Sequence, residues 1–292
     1  MILPDAAAVA GVDIRGGGTG TREIELLRPE ATVGAVDAIV LSGGSAFGLA
    51  AADGVMAWLA EHGRGFAIAG TVVPIVPAAI LFDLANGGDK AWGSESPYRE
   101  LGRRAVASAG RDFAIGNAGA GFGAKAGGLK GGLGTASSLL QDGTTVGALA
   151  AVNSNGSVLM PDSDVFWAWP FERNGEFGGR RPNGAPTPND VPVGSPGENT
   201  TLVVIATDCI LDKAQATRLA TMAQDGLARA IRPAHTPLDG DVVFALSTGK
   251  RPAGNLARLG TEAADCAARA IARAVYVAED LGSLRSYRSL YG

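Results

Sequence analysis

The last third of the chain alternates apolar, β-branched runs with long alanine-rich helical patterns, and this alternation restricts the fold more than any other feature. Leu202 to Ala206 reads as a buried strand. Asp212 is placed to cap a helix whose apolar stripe is Leu219, Ala223, Leu227 and Ala230, ended by Pro233. Asp241 to Ser247 reads as another strand. A final helix is predicted from about Asn255 to Glu279, with Leu259, Ala263, Ala267, Ala270 and Ala274 inward. On its outer side the spacing predicts an i,i+4 pair of Asp265 with Arg269. The earlier chain repeats the mixture. Val36 to Ser42 reads as a strand, followed by a helix that starts at Ser45 and stops at Gly63, with His62 in its last turn. Phe66 to Leu84 holds Pro74 and Pro77 and reads as short buried segments with a sharp bend. Tyr98 to Ser108 is helix-like. Val146 to Ser154 and Ser157 to Met160 read as two strands of a hairpin turned at Asn155-Gly156. Such a mixture calls for helices packed on sheets, without forcing a parallel sheet.

Composition narrows the class. At 292 residues with 46% apolar and 18% charged residues, the chain buries a sizeable core. A net charge of −4 gives no general attraction to nucleic acid or anionic lipid. Two cysteines, Cys209 and Cys266, are too few for a disulfide framework and read as buried thiols. The first residues lack a signal-peptide pattern, and the prolines in the most apolar run argue against a membrane span. The expected setting is the cytoplasm. Residues 182–196 carry five prolines and read as the linker in the chain, open to cleavage.

Glycine is the outlier, 43 of 292 residues, about twice the usual share of roughly 7%. Nine of them fall in Gly116 to Gly134, GNAGAGFGAKAGGLKGGLG. A G-x-G-x-x-G match from Gly119 fails at Ala124, and no Walker A pattern occurs, so the tract reads as tight turns and a backbone-lined pocket.

With only His62 and His235 and no cysteine pair at ligand spacing, a His-rich zinc site is disfavoured, although a carboxylate site for a hard cation stays open. No G-x-S-x-G elbow occurs. Asn199-Thr200-Thr201, between the Pro-rich loop and a buried strand, has two readings. One is a plain loop-to-strand boundary. The other is a junction that the chain cuts to free Thr200, whose α-amine, with an ordinary pKa of about 7.7–8.0, would serve as the base for its own hydroxyl. Asp239 and Asp241 flank Gly240 at the start of a strand, and read either as solvated turn acids or as two carboxylates serving one site. Asn153, at a strand end, is a turn residue or an amide donor to an oxyanion.

Taken together, VDAIVLSGGSAFGLAAADGV, VPIVPAAILFDL, GNAGAGFGAK, LKGGLGTAS, NTTLVVIATD and HTPLDGDVVFALSTG resemble the DmpA-type L-aminopeptidase/D-esterase family over nearly the whole chain. These are self-processing amidohydrolases that include β-aminopeptidases and the nylon-oligomer hydrolase, the branch that the Asn-Thr-Thr junction matches best. The resemblance implies an α/β fold, an αββα four-layer sandwich with mixed sheets and helices outside. It implies one hydrolase domain over residues 1–292, cut between Asn199 and Thr200 into an α chain of 1–199 and a β chain of 200–292. Thr200 would be the nucleophile, Asn153 the oxyanion-side asparagine, and Asp239 and Asp241 the groups that orient nucleophile and amine. Lys130 would be the lysine near the site, with Lys125 the second candidate. No metal or organic cofactor is implied. The substrate would be a small peptide or an ω-amino-acid oligomer, and the assembly a homo-oligomer, a tetramer or larger. An acyltransferase like the ornithine acetyltransferases, or an uncut binding relative, is the alternative. Two departures stand out: relatives usually begin some tens of residues earlier, which predicts an exposed sheet edge here, and Phe82 stands where some relatives carry tyrosine.

Overall fold

The computed structural model describes residues 1–184 and 199–292. In chain order its strands and helices are β1 (Val9–Ile14), β2 (Gly20–Arg22), β3 (Val40–Ser42), α1 (Ala51–Glu61), β4 (Phe66–Ile68), β5 (Thr71–Val73), β6 (Ala78–Ile80), α2 (Tyr98–Ala107), β7 (Lys125–Ala126), β8 (Leu129–Lys130), β9 (Gly132–Leu139), β10 (Thr145–Asn153), β11 (Thr200–Cys209), α3 (Lys213–Ala230), β12 (Val242–Arg251), α4 (Leu256–Tyr276) and α5 (Tyr287–Tyr291). The larger sheet has the order β1-β12-β11-β10-β9 and the smaller β2-β6-β3. Both are mixed: β11 runs parallel to β12 and β3 parallel to β6, while the other neighbours are antiparallel.

The layering follows from side-chain alternation. Along β11, Val203 and Ile205 enter a core with α3 and α4, while Leu202 and Val204 enter a second core. On β12, Val243 and Ala245 take the first core and Val242, Phe244 and Leu246 the second. Residues two apart share a face, so a strand covered on both sides reads as one unbroken apolar run. The second core is closed by Leu41 of β3 and Ala79 of β6, so the two sheets lie face to face. A third core, with Val40, Ala78, Val55, Leu59 and Val106, lies between the smaller sheet and α1 and α2. Helices, sheet, sheet and helices make the four layers of an αββα sandwich.

Local chemistry sets the helix ends and closest contacts. Asp212 and Gln215 form a reciprocal capping box on α3, and the Asn255 side chain caps α4 by accepting from Arg258 N. Glycines let α4 lie directly on β9: a Cβ on Gly132 or Gly134 would stand 2.3 or 2.1 Å from the carbonyl oxygens of Ala274 or Ala270.

Several expectations are corrected. Ser45 opens a 3-10 turn, Ser45–Ala50, and α1 proper starts at Ala51 without a side-chain cap. The Phe66–Val73 stretch is an exposed hairpin of β4 and β5, and only the part after Pro74 is buried. Ser157–Met160 does not fold back on β10, which is already flanked by β9 and β11; Ser157 bridges to Arg232 and Leu159 to Phe166. Asp265 and Arg269 do not pair. Asp265 binds Arg229 of α3, and Arg269 is buried against Glu176, because packing on neighbouring elements outweighs a weak local pair. Most of the proline-rich linker expected over 182–196 lies outside the described residues.

Candidate active site

Thr200 is the first residue of β11, buried at the sheet end, and in the antiparallel register it faces Asn153, the last residue of β10. On its other side Asn199 bridges to Asp239, just before β12. Three sequence-distant segments therefore meet at one end of the larger sheet. Thr200 Oγ1 donates to the Asn199 carbonyl oxygen at 2.5 Å, and Gly240 N donates to the same oxygen at 3.0 Å. Gly240 has to be glycine here, since a Cβ would stand 2.5 Å from Thr200 Oγ1.

Asp241 holds the strand start. Its Oδ1 accepts from Thr201 N at 2.8 Å, and its Oδ2 accepts from His235 N at 3.1 Å and faces His235 Nδ1 at 2.9 Å. Asp239 Oδ2 accepts from Thr236 N and Oγ1 at 2.9 and 2.7 Å, and its Oδ1 from Asn155 N at 3.3 Å. Burial first, then the neighbouring Asp241 charge, pushes the Asp239 carboxyl above its ordinary range, against those hydrogen bonds. The backbone of this loop is stitched to residues 15–18: Gly18 N reaches Asp239 O at 2.8 Å and Arg15 N reaches Asp241 O at 3.1 Å.

Asn153 Nδ2 donates to the Phe82 carbonyl at 2.8 Å, and its Oδ1 accepts from Lys125 N at 2.9 Å. Lys130 is fully buried. Its Nζ donates to the carbonyls of Gly121, Ala124 and Gly131 at 2.8, 3.1 and 2.6 Å, which uses all three of its donors. Burial lowers its pKa to about 8, while the Asp83 charge pulls the other way. The glycine tract thus presents carbonyl oxygens to a cation, the wrong polarity for a phosphate. Among the described residues no group of three His, Cys, Asp or Glu side chains is placed to hold a metal ion.

Thr200, Asn199, Asn153, Asp239 and Asp241 are brought together. Lys130 is instead tied to carbonyls of the glycine tract, and Lys125 meets the cluster through its backbone. His235, Thr236 and Gly240 were not singled out from sequence as site residues. All three lie inside HTPLDGD, where His235 takes a left-handed conformation, φ 59°, that spacing alone does not reveal.

The fold is shared with solved structures of low sequence identity. A Burkholderia β-aminopeptidase matches with a TM-score of 0.70 at 24% identity, over 97% of this chain and 78% of that one. The L-aminopeptidase D-Ala-esterase/amidase of Ochrobactrum anthropi, described as a variant among the Ntn hydrolase fold, matches with a TM-score of 0.68 at 20% identity, over 99% and 81%. An uncharacterized aminopeptidase of Mycobacterium bovis is 47% identical over 311 aligned residues, covering 100% of this chain and 89% of the relative. A 6-aminohexanoate-oligomer endohydrolase of Paenarthrobacter ureafaciens is 30% identical over 265, covering 83% and 67%. No helix among the described residues is long and apolar enough to cross a membrane. The profile of peptidase family S58 matches residues 1–288, and the chain is accordingly a hydrolase of that family.

Proposed function

We propose that the chain cuts itself between Asn199 and Thr200 and then works as an N-terminal-threonine amidohydrolase. The observation that carries this reading is the Asn199 carbonyl, held between Thr200 Oγ1 at 2.5 Å and the Gly240 amide at 3.0 Å. The hydroxyl is beside the bond to be cut, and an N–H is aimed at the oxygen where negative charge develops. Thr200 Oγ1 attacks the Asn199 carbonyl carbon. As the C–N bond breaks, the hydroxyl proton passes to the departing nitrogen, leaving an ester and a free α-amine. Water hydrolyses the ester, giving an α chain of 1–199 and a β chain of 200–292.

In the cut form the α-amine takes the Thr200 hydroxyl proton as Oγ1 attacks a substrate amide, and returns it to the leaving nitrogen. Asn153, the register partner of Thr200, steadies the oxyanion. Asp241, anchored by His235, holds Thr201 and so the geometry of the nucleophile, while Asp239 holds the loop that bears Gly240. Lys130 acts through the glycine tract beneath Asn153. The substrates are amides of small peptides or of ω-amino-acid oligomers, the classes named for its relatives. Processed units assemble as homo-oligomers, tetramers or larger, in the cytoplasm.

Intact-mass spectrometry of freshly purified protein under denaturing conditions tests the reading, beside Thr200→Ala. Fragments ending at Asn199 and starting at Thr200, absent from the variant, together with amide hydrolysis, support it. A single uncut chain in folded, assembled protein refutes it. Turnover that requires an added amine acceptor would instead identify an acyltransferase.

A further inference from the structure

The loop that carries Gly240 is held by a stretch of chain to which the reaction gives no role. Arg15 to Thr19 connects β1 to β2. At one end Ile14 pairs with Val242 of β12; at the other Gly20 pairs with Ile80 of β6, two residues before Phe82, whose carbonyl receives the Asn153 amide. The stretch therefore ties the two sheets together beside the site. Its amides reach three carbonyls of the 236–241 loop: Arg15 N donates to Asp241 O at 3.1 Å, Gly17 N to Thr236 O at 3.3 Å and Gly18 N to Asp239 O at 2.8 Å. The approach leaves no room for side chains. A Cβ on Gly16 would stand 2.2 Å from Asp239 O, and one on Gly17 2.7 Å from Pro237 O. Gly18 also borders the nucleophile: a Cβ on Gly240 would lie 2.9 Å from Gly18 O and 2.5 Å from Thr200 Oγ1.

We propose that Arg15 to Gly18 is a positioning clamp for self-cleavage, which aims the Gly240 amide and so holds the Asn199 carbonyl beside Thr200 Oγ1. The inference rests on the self-cleavage reading above. Glycine has the widest choice of backbone conformation, so Gly240 does not aim its own N–H. The Asp239 C=O and the Gly240 N–H, however, are opposite ends of one planar peptide unit. A donor fixed on that oxygen fixes the direction of the N–H as well. Gly18 supplies this donor, and Gly16 packs against the same peptide unit. The result is a chain of two hydrogen bonds, from Gly18 N to Asp239 O and from Gly240 N to Asn199 O, in which each bond polarises the next. Loosening the clamp turns the Gly240 amide away and weakens it as a donor to the oxygen where negative charge develops.

The test follows self-cleavage by intact mass over time in Gly16→Ala and Gly17→Ala, each at a fixed interval below its own Tm. Gly17→Ala, the milder collision, carries the comparison if Gly16→Ala does not fold. Gly11→Ala is the control, because its Cβ would meet Thr217 N of α3 at 2.2 Å, away from the 236–241 loop. Arg269→Leu, which loosens α4, is a second control. The cut should slow about tenfold or more in the clamp variants and stay near the wild-type rate in the controls. An unchanged rate in the clamp variants, or equal slowing in controls with an equal loss of Tm, overturns the assignment. A second readout uses Thr200→Ala, which stays uncut whether or not the wild type cuts itself, and so separates failure of the clamp from failure of the self-cleavage reading. In that background, adding Gly17→Ala should shift the Gly240 amide proton in NMR spectra and speed its exchange about tenfold or more, whereas adding Gly11→Ala should not. A Gly240 amide equally protected with and without Gly17→Ala overturns the clamp.

Discussion

The Gly240 amide donates a 3.0 Å hydrogen bond to the Asn199 carbonyl oxygen, although 41 positions separate the two residues in sequence. This contact joins Asn199, just before β11, to the loop before β12. It also polarises the bond that Thr200 Oγ1 faces.

Gly240→Ala should therefore be a processing variant. Its Cβ would meet Thr200 Oγ1 at 2.5 Å and Gly18 O at 2.9 Å. Displacing the hydroxyl by about 1 Å is expected to slow self-cleavage on the order of 100-fold. The rate is read by intact mass over time in protein whose circular dichroism matches wild type.

Asp241→Ala removes the acceptor for Thr201 N and for two His235 nitrogens. Leaving Thr201 N–H buried and unpaired should cost about 1–3 kcal/mol and loosen the start of β11. The expected outcome is a lower urea midpoint with a slower cut, whereas His235→Ala, which leaves the Thr201 bond intact, should show a smaller loss of both.

Lys130→Met should change how stability depends on pH. The folded-state pKa of Lys130 is lowered to about 8 from 10.5, so between these values the unfolded chain binds more protons. The Lys130 contribution thus grows more favourable as pH rises through that window, and its charge-burial penalty is fully present below pH 8. Urea unfolding from pH 7 to 10.5 should show a rising component in wild type that Lys130→Met lacks. Three carbonyls lose their donor in the variant, so it should be less stable throughout.

Arg269→Leu tests the outer layer apart from the site. Arg269 binds Glu176 through two nitrogens at 2.5 and 3.1 Å and donates to Ser137 O, tying α4 to β9. Removing one partner of a largely buried pair costs about 3–5 kcal/mol. Calorimetry should show a Tm lower by roughly 6–20 °C, while the protein that folds is still cut.

Read alone, the sequence determined the elements whose pattern is local and the layers that those patterns require. The unbroken apolar run Leu202 to Ala206 demanded a strand covered on both faces, and Asp212 and Asn255 marked helix starts, because alternation and capping depend on neighbours a few residues apart. It also placed Thr200, Asn153, Asp239 and Asp241 as candidates, chiefly through family resemblance. Only the tertiary structure decided the partners. That Asn153 faces Thr200, that Gly240 holds the Asn199 carbonyl, and that His235 braces Asp241 follow from strand register and loop closure between distant segments, which spacing does not encode. The same reason explains the errors. Asp265 and Arg269 sit four apart on one helix, yet each found a stronger partner on another element, and Ser157 and Leu159, expected to fold back on β10, bridge instead to Arg232 and Phe166.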